Sequence, residues 1–131
     1  MLHLKIINLD GEYLNKEVDF VNVVTTAGEL TILDNHQPII TNVCVSRLYI
    51  SLNGKETYFS IAGGTLFVSE KECKIITSAI ENVDDIDFER ADAAKNRAEE
   101  RLNNKKQDID ITRAEAALKR ALNRLSMKNY L

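Results

Sequence analysis

The chain has 131 residues, 44% of them hydrophobic, which favours one globular domain, or a small domain with an appendage, over a disordered chain. Its formal net charge of −3 makes nucleic acid an unexpected partner. No apolar run reaches the roughly 20 residues that a membrane-spanning helix needs, and no N-terminal segment has the pattern of a signal peptide.

Residues 2–84 are predicted to form a succession of short strands. The first segment, 2–7, alternates imperfectly between apolar and polar residues, with the period of two that is typical of a half-buried strand. Further strand-like segments follow at 18–24, 29–33, 43–52, 57–61, 65–69 and 73–79. Turns are predicted at Asp10-Gly11, Ala27-Gly28, 34–38, Asn53-Gly54 and Glu70-Lys71, and we expect Ala62-Gly63-Gly64 to break the run of strand residues.

Short strands at spacings of about 8–12 residues predict an antiparallel sandwich or barrel. Helices do not alternate with these strands, so a Rossmann-like sheet is not expected. Residues 81–86 are acidic and predicted to be irregular. We therefore expect one domain at 1–84 and a second at 85–131.

The second domain contains a sequence that is written nearly twice. Residues 85–102 read DIDFERADAAKNRAEERL and residues 108–125 read DIDITRAEAALKRALNRL, with eleven of eighteen positions identical at an offset of 23. Both copies consist largely of strong helix formers. The short polar linker at 103–107 leaves two arrangements open, an antiparallel hairpin and an extended, broken rod.

Both helices have candidate N-caps and an alanine-rich face. The candidate caps are Asp85 or Asp87, and Asp108 or Asp110. The apolar faces consist of Phe88, Ala91, Ala94 or Ala98, and Leu102 in the first helix, and of Ile111, Ala114, Leu118, Ala121 and Leu125 in the second. Alanine buries little apolar area. We therefore expect the helix pair to be marginal unless the sandwich, a ligand or a partner holds it folded.

Charge is distributed unevenly between the two predicted domains. Residues 1–84 carry 6 Lys and Arg against 11 Asp and Glu, a net charge of −5, whereas residues 85–131 carry 11 against 9, a net charge of +2. A basic helical segment on an acidic body favours an acidic protein partner or an anionic ligand.

Residues for catalysis or metal binding are few. The two histidines are His3 and His36, and the chain has no nucleophile elbow, Walker A motif or Gly-rich dinucleotide motif. We expect His36 to be structural or exposed. Cys44 and Cys73 are too widely separated for a metal motif and are predicted to be buried thiols in a reducing compartment.

The repeated arginines are the most informative polar residues. Spacings of seven and four residues can place Arg90, Arg97 and Arg101 on one stripe of a helix, and the same holds for Arg113, Arg120 and Arg124. Two stripes that converge would suit the phosphate oxygens of a polyanion. The alternative is that these arginines pair with Glu89, Glu99, Glu100 and Glu115 on a solvated face, and spacing alone favours that alternative.

The chain resembles the ε subunit of bacterial F-type ATP synthase over essentially its whole length. The matching segments are Gly28–Leu33 with His36, Ala62-Gly63-Gly64, Asp85-Ile86-Asp87 through Arg90-Ala91, and Arg113-Ala114-Glu115 through Lys119–Leu125. The resemblance implies a β + α fold, with an N-terminal antiparallel β-sandwich followed by a C-terminal two-helix antiparallel hairpin. Family members usually have Gly, Pro and Gly where this chain has Thr31, Asp34 and Asn35, so the loop at 34–38 is expected to be shaped differently.

This resemblance also implies a non-catalytic, regulatory rotor subunit. The sandwich would contact the γ subunit and the c-ring on the cytoplasmic face of the cell membrane, as a peripheral part of a rotary proton- or sodium-translocating complex. The hairpin, when extended, would meet acidic segments of the β subunits and inhibit ATP hydrolysis. Two alternatives are a purely structural coupling subunit and an unrelated sandwich-plus-hairpin adaptor.

In part of the family, ATP binds the folded hairpin through an Ile/Leu-Asp-x-x-Arg-Ala motif, which is present here at 86–91. By resemblance, the nucleoside would contact Glu81, Ile86, Asp87 and Ala91. The phosphates would largely contact Arg90, Arg97, Arg120 and Arg124. ATP would then be a regulatory ligand that favours the folded hairpin, with no metal required.

Overall fold

A computed structural model describes residues 1–104 and 108–131 of the chain. These residues divide into two compact units, Met1–Asn82 and Val83–Leu131, whereas the sequence places the division between residues 84 and 85. In the described ranges, no helix is long and apolar enough to cross a membrane.

The first unit is an eight-stranded sheet. Its strands are β1 (Leu2–Asn8), β2 (Gly11–Val18), β3 (Phe20–Thr25), β4 (Gly28–Leu33), β5 (Ile39–Leu52), β6 (Lys55–Val68), β7 (Glu72–Ile76) and β8 (Ile80–Asn82). The strand order is β2-β1-β7-β6-β5-β3-β4, and β8 pairs with β6. All pairs are antiparallel except β1 with β7.

The sheet folds over so that its two parts share one core. Tyr13 of β2 lies edge-on to Phe59 of β6, with ring centroids 6.1 Å apart, although β1 and β7 separate these strands in the sheet order. The side chains of Leu2, Leu4 and Ile6 are fully buried, as the alternation along β1 predicts. The predicted β-sandwich is confirmed, and its core draws buried residues from all eight strands.

Two turns follow directly from the local sequence. Asn53 and Gly54 have φ values of +53° and +79° and join β5 to β6 as a two-residue hairpin. Positive φ at both central residues identifies the type I′ turn that Asn-Gly favours. A second hairpin turn, at Thr26-Ala27, joins β3 to β4, and Thr25 pairs with Gly28. This turn begins one residue before the predicted Ala27-Gly28.

Four local predictions differ from the structure. Ala62-Gly63-Gly64 does not break the run, because β6 is continuous from Lys55 to Val68. The apolar segment 18–24 is divided between β2 and β3 at Asp19, whose carboxylate accepts a hydrogen bond from the Asn53 N–H at 2.8 Å. Residues 80–82 form β8 and pair with β6, although residues 81 and 82 were expected to be irregular. Cys44 is half-buried, whereas Cys73 is fully buried.

Gly64 explains why a glycine pair can lie within a strand. A Cβ atom at Gly64 would lie 2.1 Å from the Ile76 carbonyl oxygen of β7, and the φ of Gly64 is +150°. Gly63 has a φ of +78°, and its own carbonyl oxygen accepts a hydrogen bond from the Thr77 hydroxyl at 2.5 Å. The pair therefore lets β6 lie close to the backbone of β7 while it stays paired with β5.

The second unit is a helical hairpin. It contains a 3₁₀ turn at Val83–Asp85, α1 (Phe88–Asn104), α2 (Asp108–Ser126) and a 3₁₀ turn at Met127–Tyr130. The Lys128 ammonium lies 5.4 Å from the centre of the Phe88 ring, so the start of α1 is beside the end of the chain that follows α2. The helices pack against each other. The hairpin alternative is therefore confirmed over the extended rod; linker residues 105–107 lie outside the described ranges.

Alanine forms the centre of the helix–helix contact. Ala91 and Ala98 of α1 and Ala114 and Ala121 of α2 are at most 2% exposed. Ala98 is thus the buried member of the predicted Ala94/Ala98 choice. The larger predicted residues are only half-buried: Phe88, Leu102, Ile111, Leu118 and Leu125. The contact is close and small in apolar area, as predicted.

Candidate functional site

The start of α1 brings several predicted site residues together. Asp87 is the N-cap: its Oδ1 accepts a hydrogen bond from the Arg90 N–H at 3.0 Å, and its carbonyl oxygen accepts one from the Ala91 N–H at 3.0 Å. This confirms Asp87 over Asp85 as the cap. In the second helix, Asp110 lies inside α2 and cannot be its cap, and the side chain of Asp108 lies outside the part that the structure describes.

Ile86 and Ala91 lie on the packed side of this segment. Their exposed fractions are 7% and 0%. Ala91 belongs to the alanine contact between the helices, while Asp87 and Arg90 of the same motif are exposed. Glu81, the predicted ATP-binding residue that precedes the motif, is half-buried on β8 and belongs to the first unit.

The predicted arginines occupy two levels along the hairpin. Because Phe88 and Lys128 are neighbours, distances along the helices can be counted from that end at about 1.5 Å per residue. On that scale Arg90 and Arg124 lie about 3–6 Å from the open end, and Arg97 and Arg120 lie about 12–14 Å from it. The four side chains thus form two successive pairs, each with one member on α1 and one on α2.

The sequence repeat also fixes the face on which these arginines lie. Arg90, Arg97, Arg113 and Arg120 each directly precede one of the four buried alanines. Two nearly identical helices packed antiparallel through equivalent residues are related by a pseudo-twofold axis perpendicular to the plane of the hairpin. Such an axis leaves equivalent residues on the same side of that plane. The arginine stripes of α1 and α2 therefore share one face of the hairpin.

Five of the six repeated arginines lack the ion pairs that the solvated-face alternative expects. Glu99, one of the four expected partners, lies 4.0 Å from Lys95 Nζ. Among the side chains that the structure describes, at 1–104 and 110–131, no ion pair is formed by Arg90, Arg97, Arg101, Arg113 or Arg120. Arg124, the sixth, is half-buried. The face is a concentration of positive charge suited to an anion.

The loop at 34–38 contains the residues that depart from the family pattern. Asp34 pairs with the N-terminal ammonium group of Met1 at 3.2 Å. Asn35 has a φ of +62° and donates its N–H to the Glu70 carbonyl oxygen at 2.8 Å. Asparagine tolerates this left-handed conformation, which glycine adopts without strain. Thr31 accepts a hydrogen bond from Asn22 at 2.8 Å.

Family models match both units. The β-sandwich domain of the ATP synthase delta/epsilon chain matches residues 1–83, and the long α-helix domain of the same chain matches residues 84–129. The chain belongs to the ATP synthase delta/epsilon chain family. Among the residues that the structure describes, no group of three or more potential metal ligands is found.

Relatives from bacteria place the chain among the epsilon members of this family. The ATP synthase epsilon chain of Nitratidesulfovibrio vulgaris is 37% identical over 106 residues, which cover 81% of this chain and 79% of that protein. The epsilon chain of Mycoplasmopsis pulmonis is 40% identical over 107 residues, covering 80% and 76%. That of Halalkalibacterium halodurans is 39% identical over 106 residues, covering 81% and 80%.

Solved structures support the fold. A chain in the OSCP/F1/c-ring structure of the Euglena gracilis mitochondrial ATP synthase superposes with a TM-score of 0.84, covering 99% of this chain and 81% of that one at 20% identity. A chain in the central stalk/c-ring structure of the Tetrahymena thermophila enzyme gives a TM-score of 0.57, covering 64% and 68% at 17% identity. The sequence-based assignment to the ε subunits is confirmed by the family models and the bacterial relatives.

Proposed function

We propose that the chain is a non-catalytic subunit of the central stalk of an F-type ATP synthase, peripheral to the membrane on its cytoplasmic face. The sandwich binds the γ subunit and the c-ring and helps to couple their rotation to ATP synthesis. Membership of the delta/epsilon chain family over both units supports this function.

The helical hairpin is the regulatory part of this proposal. In its extended form it meets acidic segments of the β subunits and inhibits ATP hydrolysis. The observation in favour is the charge division: residues 85–131 carry a net +2 and residues 1–84 a net −5. Of the last twenty residues, five are basic and Glu115 alone is acidic. Opposite charge favours encounter with an acidic surface.

ATP is proposed to bind the closed hairpin and to favour it over the extended form. The single observation that carries this step is the arginine face. Two arginine stripes lie on one side of a closed hairpin whose helices are joined by buried alanines. Arg90, Arg97, Arg120 and Arg124 largely hold the phosphates. The nucleoside side consists of Glu81, Ile86, Asp87 and Ala91. A ligand that binds only the closed form stabilises that form by mass action.

Calorimetric titration of the full chain with ATP tests the ligand. We expect saturable binding, and we expect Arg124→Ala to weaken it by about 1.5–3 kcal/mol, the range for a hydrogen bond to a charged group. Lys119→Ala is the matched control because Lys119 is exposed on α2 and outside the predicted set. Absence of binding at millimolar ATP would refute the regulatory ligand, and equal losses in the two variants would remove Arg124 from the site.

Reconstitution into ATP synthase tests the subunit assignment and the inhibition. The full chain is expected to copurify with γ, and deletion of residues 108–131 is expected to leave copurification intact while ATP hydrolysis becomes faster. Hydrolysis that is unchanged by the deletion would refute the inhibitory arm. Failure of the full chain to bind γ would refute the stalk assignment and favour the unrelated adaptor.

A further inference from the structure

The connected end of the hairpin contains a cavity of about 400 Å³ within the second unit. Its lining residues come from the last turn of α1 and the first turns of α2; they are Arg101, Asn104, Asp110, Arg113 and Ala114. The volume is in the range of small-molecule sites, and two guanidinium groups from different helices border it. None of the eight residues predicted to bind ATP lines this cavity.

Four of the five described residues that line the cavity are repeat counterparts of predicted ATP-binding residues. At the offset of 23, the pairs are Arg101 with Arg124, Asp110 with Asp87, Arg113 with Arg90, and Ala114 with Ala91. The motif itself recurs in the sequence, because residues 109–114 read IDITRA and again fit Ile-Asp-x-x-Arg-Ala.

The pseudo-twofold axis of the hairpin explains this correspondence. The axis exchanges α1 with α2 and the open end with the connected end. It therefore carries Arg90 and Arg124, one from each helix at the open end, onto Arg113 and Arg101 at the connected end. The same residue types therefore recur at the connected end.

The charges at the connected end favour an anion. Arg101 and Arg113 form no ion pair with any side chain that the structure describes, at 1–104 and 110–131. Asp110 is the acidic residue among the described lining residues. The N-terminal turns of α2 add the positive end of a helix dipole. Guanidinium forks from two helices can bind phosphate oxygens from two sides.

We propose that the connected end of the hairpin is a second phosphate-binding site, which takes the phosphate groups of a nucleoside triphosphate. The ligand class rests on the proposed function of the open end.

Backbone amide chemical shifts of the full chain, followed by NMR during separate titrations with ATP and with inorganic tripolyphosphate, test this site. We expect both ligands to shift the amides of Asn104 and residues 110–114. In Arg101→Ala with Arg113→Ala, the affinity measured from these shifts is expected to fall by at least about tenfold. The ATP-induced shifts at 86–91 are expected to remain. Arg101→Lys with Arg113→Lys keeps the charge but removes the guanidinium forks, and it is expected to lower the same affinity.

Lys95→Ala with Lys119→Ala is the matched control, since it removes two charges from exposed or half-exposed positions outside the lining. Wild-type chain without shifts at 104 and 110–114 in millimolar ATP would overturn the second site, as would equal weakening in the control. Shifts with ATP but none with tripolyphosphate would overturn phosphate recognition. Shifts at 110–114 without shifts at 86–91 would support the second site and refute the open-end site, so the two proposals fail separately.

Discussion

Replacement of Gly64 by alanine tests the closest backbone approach in the sandwich. A Cβ atom at this position would meet the Ile76 carbonyl oxygen at 2.1 Å and the Ile76 carbonyl carbon at 3.1 Å. Both atoms are backbone, so no side-chain rotation relieves the contact. Thr65, the next residue of β6, pairs with Ile76 of β7, so a displacement sufficient to admit the methyl group disturbs that pairing.

The magnitude has two parts. Alanine at a positive φ costs about 1–2 kcal/mol, and an added methyl group in a packed site costs about 1–3 kcal/mol more. Gly64→Ala is therefore expected to lower the free energy of unfolding of the sandwich by about 2–5 kcal/mol. Gly28→Ala is the matched control: its φ is +117°, yet nothing lies within 4 Å of the added Cβ. It should lose only about 1–2 kcal/mol.

Urea unfolding followed by tyrosine fluorescence measures both losses, because the chain has no tryptophan and three of its four tyrosines, Tyr13, Tyr49 and Tyr58, lie in the sandwich. The difference between the two variants isolates the steric contact with β7 from the backbone strain. Equal losses for Gly64→Ala and Gly28→Ala would refute the close approach and, with it, the explanation of the continuous β6.

Three further perturbations address the cap, a buried network and a buried thiol. Asp87→Ala removes the N-cap and should reduce helicity and stability of the hairpin by about 1 kcal/mol, measured by circular dichroism, whereas exposed Asp92→Ala should have little effect. Asn22 is 3% exposed and accepts a hydrogen bond from Arg47 at 2.7 Å, so Asn22→Ala should lower the free energy of unfolding by about 1–3 kcal/mol in urea; no loss would contradict this role. Burial and the neighbouring Glu72 charge raise the pKa of Cys73 from 9.0 to about 12. Since the folded thiol keeps its proton to higher pH, its contribution to stability should fall as pH rises from 9.0 towards 12, and a pH dependence identical in Cys73→Ala would refute this.

Much of the sandwich could be predicted because its signals are local. The alternation along 2–7 and the Asn53-Gly54 dipeptide determine a strand face and a turn within a few residues. β2 could not be predicted in the same way, because it is an edge strand whose polar residues are mostly exposed. The continuity of β6 at Gly63-Gly64 depends on a carbonyl group of β7, distant in the sequence, and no local pattern reveals such a contact.

The candidate site, too, could be predicted only in part from the sequence. The motif at 86–91 and the cap at Asp87 can be read from neighbouring residues, whereas spacing alone favoured ion pairs for the arginines. The structure differs because closure of an antiparallel hairpin places both stripes on one face, and Glu99, one of the expected partners, lies beside Lys95 instead. The second copy of the motif, at 109–114, was the available signal for the cavity at the connected end. This second copy indicates a site at the connected end only when the twofold relation between the helices is known.

The energetics of the hairpin connect its packing to its charge. Four buried alanine methyl groups contribute about 3 kcal/mol, at roughly 0.8 kcal/mol for each buried carbon. Two fully buried leucines would contribute up to about 6 kcal/mol. Closure also brings arginines of like charge onto one face, and each pair at about 10 Å in water costs about 0.4 kcal/mol. Three such pairs across the helices cost about 1.2 kcal/mol, roughly a third of the alanine term. In the proposed complex a bound polyphosphate would reverse the sign of the charge term, because each arginine would then face an anion, and would add to the alanine contact in favouring closure.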